Sequence, residues 1–228
     1  MLSSDFLCLV TGASSGIGRA TCRVLTGYGA KVVGCGRNEQ ALASLKEEGG
    51  ICDYIVVDIT KDGACAELVS KAVEILGGGL TTVVNAAGGL RGGAVGEGAD
   101  LDNLNYNMKL NAQAPFEIIF HSVPHLKKNR NSNKGNASII TVSSVNGKQS
   151  FMSCASYCMS KAAIDQLTRC ASIDLAKYGI RVNAVNPGVI QTNLHKVSAP
   201  LSFLLRASCP SLTPLQQIYQ SQCTIRYN

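Results

Sequence analysis

The chain has 228 residues, 46% of them hydrophobic and 16% charged, with a net charge of +6 and no tryptophan. That is enough for one large domain with a well-buried core, and no run reaches the roughly 18 consecutive apolar residues that a membrane span needs. The only basic cluster, KKNRNSNK at 127–134, lacks interleaved aromatics and reads as a solvated loop, so nucleic-acid binding has little support.

Strand-like and helix-like segments alternate along the chain. FLCLVTG (6–12) reads as a strand ending in glycine, and IGRATCRVLTGYGA (17–30) has helical spacing. KVVGCGR (31–37) is strand-like, EQALASLKEE (39–48) helical, YIVVDIT (54–60) strand-like and CAELVSKAVEIL (65–76) an amphipathic helix. LTTVVNAAG (80–88) is strand-like, and a single long helix is predicted over 102–129. ASIITVSS (137–144) is a strand, SYCMSKAAIDQLTRCASIDLAKYG (156–179) a helix and IRVNAVNPG (180–188) the sixth strand. The strand runs are apolar on both faces, which a parallel sheet covered by helices on both sides requires. The pattern predicts an α/β fold with one doubly wound parallel sheet.

Ten cysteines are scattered without a C-x-x-C pair. The first strand begins near Phe6, which leaves no room for a signal peptide, so reduced thiols and a cytoplasmic location are expected. The NAS triplet at Asn136 runs into a core strand and is discounted as a glycosylation site. Asp174 is the last acidic residue; Lys177, Arg181, Lys196, Arg206 and Arg226 follow it.

TGASSGIG (11–18) lies between the first strand and first helix. Gly12 allows a sharp turn off the strand, Gly16 lets backbone approach a phosphate, and Gly18 lets helix and strand pack closely. The free N–H groups of the helix start, around Ser14, Ser15, Gly16 and Ile17, suit an anion. The second strand ends in CGRN, where a chain selecting NAD usually has an acidic residue. Arg37 there suits the 2′-phosphate of NADP, so NADP(H) is expected over NAD(H). Tyr157 and Lys161 lie one helical turn apart on one face. Alone, that pair fits a solvated lysine beside an aromatic as well as it fits an acid–base site.

In their order, TGASSGIG (11–18), Asp58 of VVDIT, NAAG (85–88), Asn111 of MKLNAQ, Ser143-Ser144, YCMSK (157–161) and NPGVIQT (186–192) resemble the short-chain dehydrogenase/reductase family over about residues 6–196. The closest wording is that of generic carbonyl or 3-oxoacyl reductases. One departure is Asn85-Ala86-Ala87-Gly88 where the family has N-N-A-G. The resemblance implies a Rossmann-type sheet in the order 3-2-1-4-5-6. It implies that Asp58 and Ile59 bind the adenine, that Asn85, Ala86 and Gly88 shape the cleft floor, and that Pro187, Gly188 and Thr192 flank the nicotinamide. It implies catalysis by Asn111, Ser144, Tyr157 and Lys161, the serine being thirteen residues before the tyrosine. The implied activity is interconversion of a carbonyl and a secondary alcohol. A cation within about 4–6 Å favours phenolate, so Lys161 is expected to bring Tyr157, ordinarily near 10, closer to neutral pH.

The domain so implied covers 1–196. Residues 197–228 contain Pro200, Pro210 and Pro214 and no recognisable seventh strand. They read as a divergent, poorly folded tail, with an apolar lid over the substrate as the second reading. The family's oligomers imply a homodimer or homotetramer, and the lack of that strand puts the tetramer in doubt. A cofactor-binding relative without turnover is the competing reading.

Overall fold

The computed structural model describes residues 6–96, 101–131 and 137–190. Six strands form one parallel sheet: β1 (Leu7–Thr11), β2 (Lys31–Gly36), β3 (Asp53–Val56), β4 (Thr82–Asn85), β5 (Ser138–Val142) and β6 (Arg181–Val185). Their order is β3-β2-β1-β4-β5-β6, as the resemblance implies. The order reverses between β1 and β4, the point at which open α/β sheets bind ligands. Expectations about Thr192 and the segment 197–228 lie outside the described residues.

Alternating strand residues feed two cores. Leu9, Val33, Val83 and Ile139 point to one face, where α3 (Ala64–Ile75), α5 (Ala114–Asn131) and α6 (Ala155–Ala176) cover them. Cys8, Val10, Val32 and Val84 point to the other, beneath α1 (Gly16–Gly27) and α2 (Glu39–Glu47). Each central strand is therefore apolar on both sides. The sixth strand departs from that reading. Val182 is buried, but Arg181, Asn183 and Val185 on the opposite face are exposed. A charged residue on a strand at the sheet edge discourages pairing with another chain.

The long helix expected over 102–129 is two helices joined by a π turn: α4 (Leu101–Met108), Lys109–Gln113 and α5. The extra residue of a π turn re-aims the side chains on it and often marks a functional site. Helix α6 starts at Ala155 and buries a stripe at helical spacing. The stripe is mostly polar from Tyr157 through Ser160, Lys161, Ile164 and Asp165 to Thr168, and apolar beyond it at Ala171 and Leu175. The polar half lies toward the carboxyl ends of the strands. Among the described residues no helix is long and apolar enough to cross a membrane. The eight described cysteines are all unpaired.

Candidate active site

A cleft of about 360 Å³ opens at the carboxyl ends of the strands. One end is built by the glycine turn. Gly12 has φ +69°, and a Cβ there would stand 2.8 Å from the backbone of Ala87, so β1 and the loop after β4 approach closely only because it is glycine. Ser15 caps α1 without a side-chain hydrogen bond, and the first turn carries no acidic residue. The N–H groups of that turn are left for an anion. Ser14 Oγ lies 3.1 Å from where a Cβ on Gly36 would be, so the ends of β1 and β2 form one surface. Exposed Arg37 lines the same end. Asp58 lines it too. Burial pulls its carboxyl upward, but hydrogen bonds from Thr60 and the Arg37 charge carry it below its ordinary value. These residues fit a dinucleotide: amides and a cation for phosphates, an ionised carboxylate for hydroxyls or amines.

The other end gathers Ser144, Tyr157 and Lys161 with Gly88, Pro187 and Gly188. Ile17, Ile59 and Ala86 also line the cleft. Tyr157 and Lys161 are 6% and 5% exposed. The Lys161 Nζ stands 5.7 Å from the Tyr157 ring centroid and donates to the Val142 carbonyl at 3.0 Å. The Ser144 hydroxyl lies near enough to Tyr157 to pull its phenol downward. Ser144 Oγ accepts from Asn146 N and donates to Asn146 Oδ1, both at 3.2 Å. The neighbouring Ser143 instead donates to the Lys161 carbonyl at 3.3 Å.

The expected direction for Tyr157 is reversed. Burial raises the phenol above its ordinary value, the Ser144 hydroxyl offsets part of this, and the Cys154 and Cys158 thiols add to the rise. Burial also lowers Lys161 to about 8, against the opposing charge of Asp165. Burial penalises both charged forms, and at this separation the ammonium does not overturn it.

Two expected residues lie behind the cleft wall. Asn111, on the π turn, accepts from Gly89 N at 3.0 Å and donates to Gly89 O at 2.9 Å and Ser160 Oγ at 3.0 Å. A Cβ on Gly88 would meet both Asn111 Oδ1, at 3.3 Å, and Lys161 Nζ, at 3.6 Å, so the two groups flank one peptide. Asn85 is 2% exposed, and its carboxamide has no hydrogen-bond partner among the described residues.

Several residues escape the sequence reading. Asn107 repeats the Asn111 clasp one turn earlier: it accepts from Arg91 N and donates to Arg91 O and to Ser156 Oγ. The visible signal is asparagine at every fourth position, 103, 107 and 111. Leu90, Phe151 and Cys154 line the cleft with no motif to mark them, and Val189 and Ile190 line it from within NPGVIQT, where the resemblance gave them no role. Asp165 and Asn186 pair beneath it.

A model of the family described as short chain dehydrogenase matches residues 7–200. A 2,5-dichloro-2,5-cyclohexadiene-1,4-diol dehydrogenase of Sphingobium indicum is 34% identical over 188 residues, covering 81% of this chain and 72% of that protein. An L-fucose dehydrogenase of Rattus norvegicus is 32% identical over 186 residues, covering 82% and 66%. The crystal structure of a short-chain dehydrogenase/reductase of unknown function from Caenorhabditis elegans, solved with cofactor, aligns with a TM-score of 0.77 at 29% identity, covering 88% of this chain and 76% of that one.

The lysine titration has a measurable consequence. Lys161 keeps its proton to about pH 8 when folded and to about 10.5 when unfolded. Between those values the unfolded chain binds more protons, so stability rises with pH on this account, by up to about 3 kcal/mol. Lys161→Met removes the effect and leaves the raised cysteines common to both proteins. Urea denaturation from pH 8 toward 10.5 is expected to show the wild type gaining on the Met variant; parallel curves contradict it.

Proposed function

The chain belongs to the short chain dehydrogenase family, oxidoreductases that bind NAD(P), and from that premise we propose that it interconverts a carbonyl and a secondary alcohol with NADP(H). The observation that carries the reading is the joint burial of Tyr157 and Lys161 on one face of α6, in the cleft that the glycine turn opens. When bound, the dinucleotide supplies or accepts the hydride.

The chain's own residues handle the proton. Burial keeps the Tyr157 phenol protonated at neutral pH, so in reduction it is the donor to the carbonyl oxygen. The Ser144 hydroxyl, turned from Asn146 toward the substrate, polarises that oxygen and fixes its approach. Lys161, charged below about pH 8, stabilises the phenolate left behind and offers further donors to ribose hydroxyls. Asn111 completes the set from behind the wall, holding Gly89 and, through Ser160, the turn of α6 that carries Tyr157. In the same reading Gly12, Ser14, Ser15, Gly16, Ile17 and Gly18 hold the pyrophosphate. Arg37 takes the 2′-phosphate, Asp58 and Ile59 the adenosine, and Asn85, Ala86, Gly88, Pro187 and Gly188 the nicotinamide side. Phe116 and Phe120, 53% and 64% exposed and one turn apart on α5, support a homo-oligomer.

Tyr157→Phe keeps the ring and removes the proton. It is expected to bind NADPH as the wild type does and to lose ketone reduction by about 100-fold or more, measured as NADPH oxidation on a ketone panel. Undiminished turnover overturns the role of Tyr157. A wild type that binds NADPH but oxidises none supports the reading without turnover.

Arg37→Asp places a carboxylate where the 2′-phosphate is assigned. NADPH affinity is expected to fall about tenfold or more while NADH affinity holds or improves, measured by fluorescence titration. Equal losses for both cofactors contradict the NADP assignment.

A further inference from the structure

We propose that Asp165 is a positioning residue of this site, a buried carboxylate that holds the charge of the Lys161 ammonium and ties α6 to the loops bearing Ser144 and Pro187. The proposal rests on the reading of Tyr157 and Lys161 as the proton-transferring pair.

Asp165 is 5% exposed, and among the described residues it forms no ion pair. Both its oxygens accept from one neutral donor, Asn186 Nδ2, at 2.9 and 3.0 Å. The same amide donates to the Ser144 carbonyl at 3.0 Å. Asp165 Oδ2 also presses on Gly147, so closely that no Cβ would fit there. A carboxylate buried this way, with only an amide for company, is costly unless a cation compensates it. The buried cation on the same helical face is Lys161, one turn earlier; Arg169, one turn later, is exposed and donates to Gln166. Lys161 is likewise outside every ion pair of the described residues and rests on a backbone carbonyl. Asp165 is the charge that acts on the buried Lys161 ammonium.

Other titratable groups do not supply it. On the elements packed against α6, Arg181 of β6 and Lys148 after the 3-10 turn (Val145–Gly147) are exposed. Lys109 of the π turn pairs with Asp62, Tyr106 of α4 stacks under Arg91, and exposed Asp102 lies at the far end of α4. On α6 itself Tyr157 faces Lys161, with the Cys154 and Cys158 thiols next to the phenol.

The negative charge of Asp165 opposes loss of the Lys161 proton and opposes ionisation of Tyr157. Both effects hold the site in the form needed for reduction as pH rises. Removing the charge must move the alkaline limb of ketone reduction, and of NADPH binding, to lower pH.

The test measures both limbs in wild type, Asp165→Asn, Asp165→Ala and Asn186→Ala, with thermal melts to establish folding. In Asp165→Asn, which keeps an acceptor for Asn186, both limbs are expected to move down by about half a unit or more, a roughly threefold loss on the alkaline side. Asp165→Ala, lacking that acceptor, must move them the same way if the Asn variant does not fold. Asn186→Ala breaks the tie but not the charge, and is expected to slow turnover with the limbs in place. Limbs unmoved in the folded Asp165 variants overturn the proposal. A failure of Tyr157 or Lys161 as the catalytic pair shows instead as a wild type that binds NADPH without reducing ketones; the binding limb then still decides Asp165.

Discussion

Two asparagine clasps hold this site together. Asn107 and Asn111 lie one turn apart, and each grips both the N–H and the C=O of one residue in the loop after β4. Each also donates to a serine of α6, Ser156 or Ser160. The residues so gripped, Arg91 and Gly89, follow directly on the Ala87–Gly88 floor of the cleft. The two serines bracket Tyr157. An amide that serves a peptide on one side and a neighbouring helix on the other fixes their separation far more tightly than apolar packing does. The π turn lies where the second clasp is made, and the one-residue offset it introduces accompanies the change from α4 to α5.

That anchoring matters because α6 carries an expensive load. Much of its buried face is polar, with one cation and one carboxylate that belong to no ion pair among the described residues. The apolar half, Ala171 and Leu175, sits in the larger core with α3 and α5 and secures the helix to the sheet. Local cost at the strand ends is thus borne by packing farther down the same helix, a distribution often found where chemistry is done. Burial is also what tunes the groups. It keeps Tyr157 protonated and Lys161 close to losing its proton, so small changes in nearby charge have leverage on both.

Much of this was legible in the sequence because it is written in local pattern. Glycine spacing at 12, 16 and 18 marked the turn, and two-sided apolar runs marked the parallel sheet. The four-residue gap from Tyr157 to Lys161 put both on one helical face. What escaped depends on tertiary juxtaposition. The break in the helix after Met108 leaves one signal that the reading of a single helix passed over: Pro115, just past the π turn, has no N–H to continue the ladder. Asn107 and Asp165 look like ordinary polar helix residues until the fold buries them. The sign of the Tyr157 shift was misjudged because helical spacing gives the distance to Lys161 but not the depth of burial, and burial is the larger effect. For β6, alternation was present in RVNAV and was overshadowed by its apolar neighbours.

The most direct test of the account follows the hydride itself. NADPH carrying deuterium at both positions of the reactive nicotinamide carbon is incubated with the chain and a panel of ketones, and the products are read by mass spectrometry. The account predicts alcohol bearing one deuterium on the carbinol carbon. Alcohol formed without the label, or NADPH bound tightly with no ketone reduced, would contradict it.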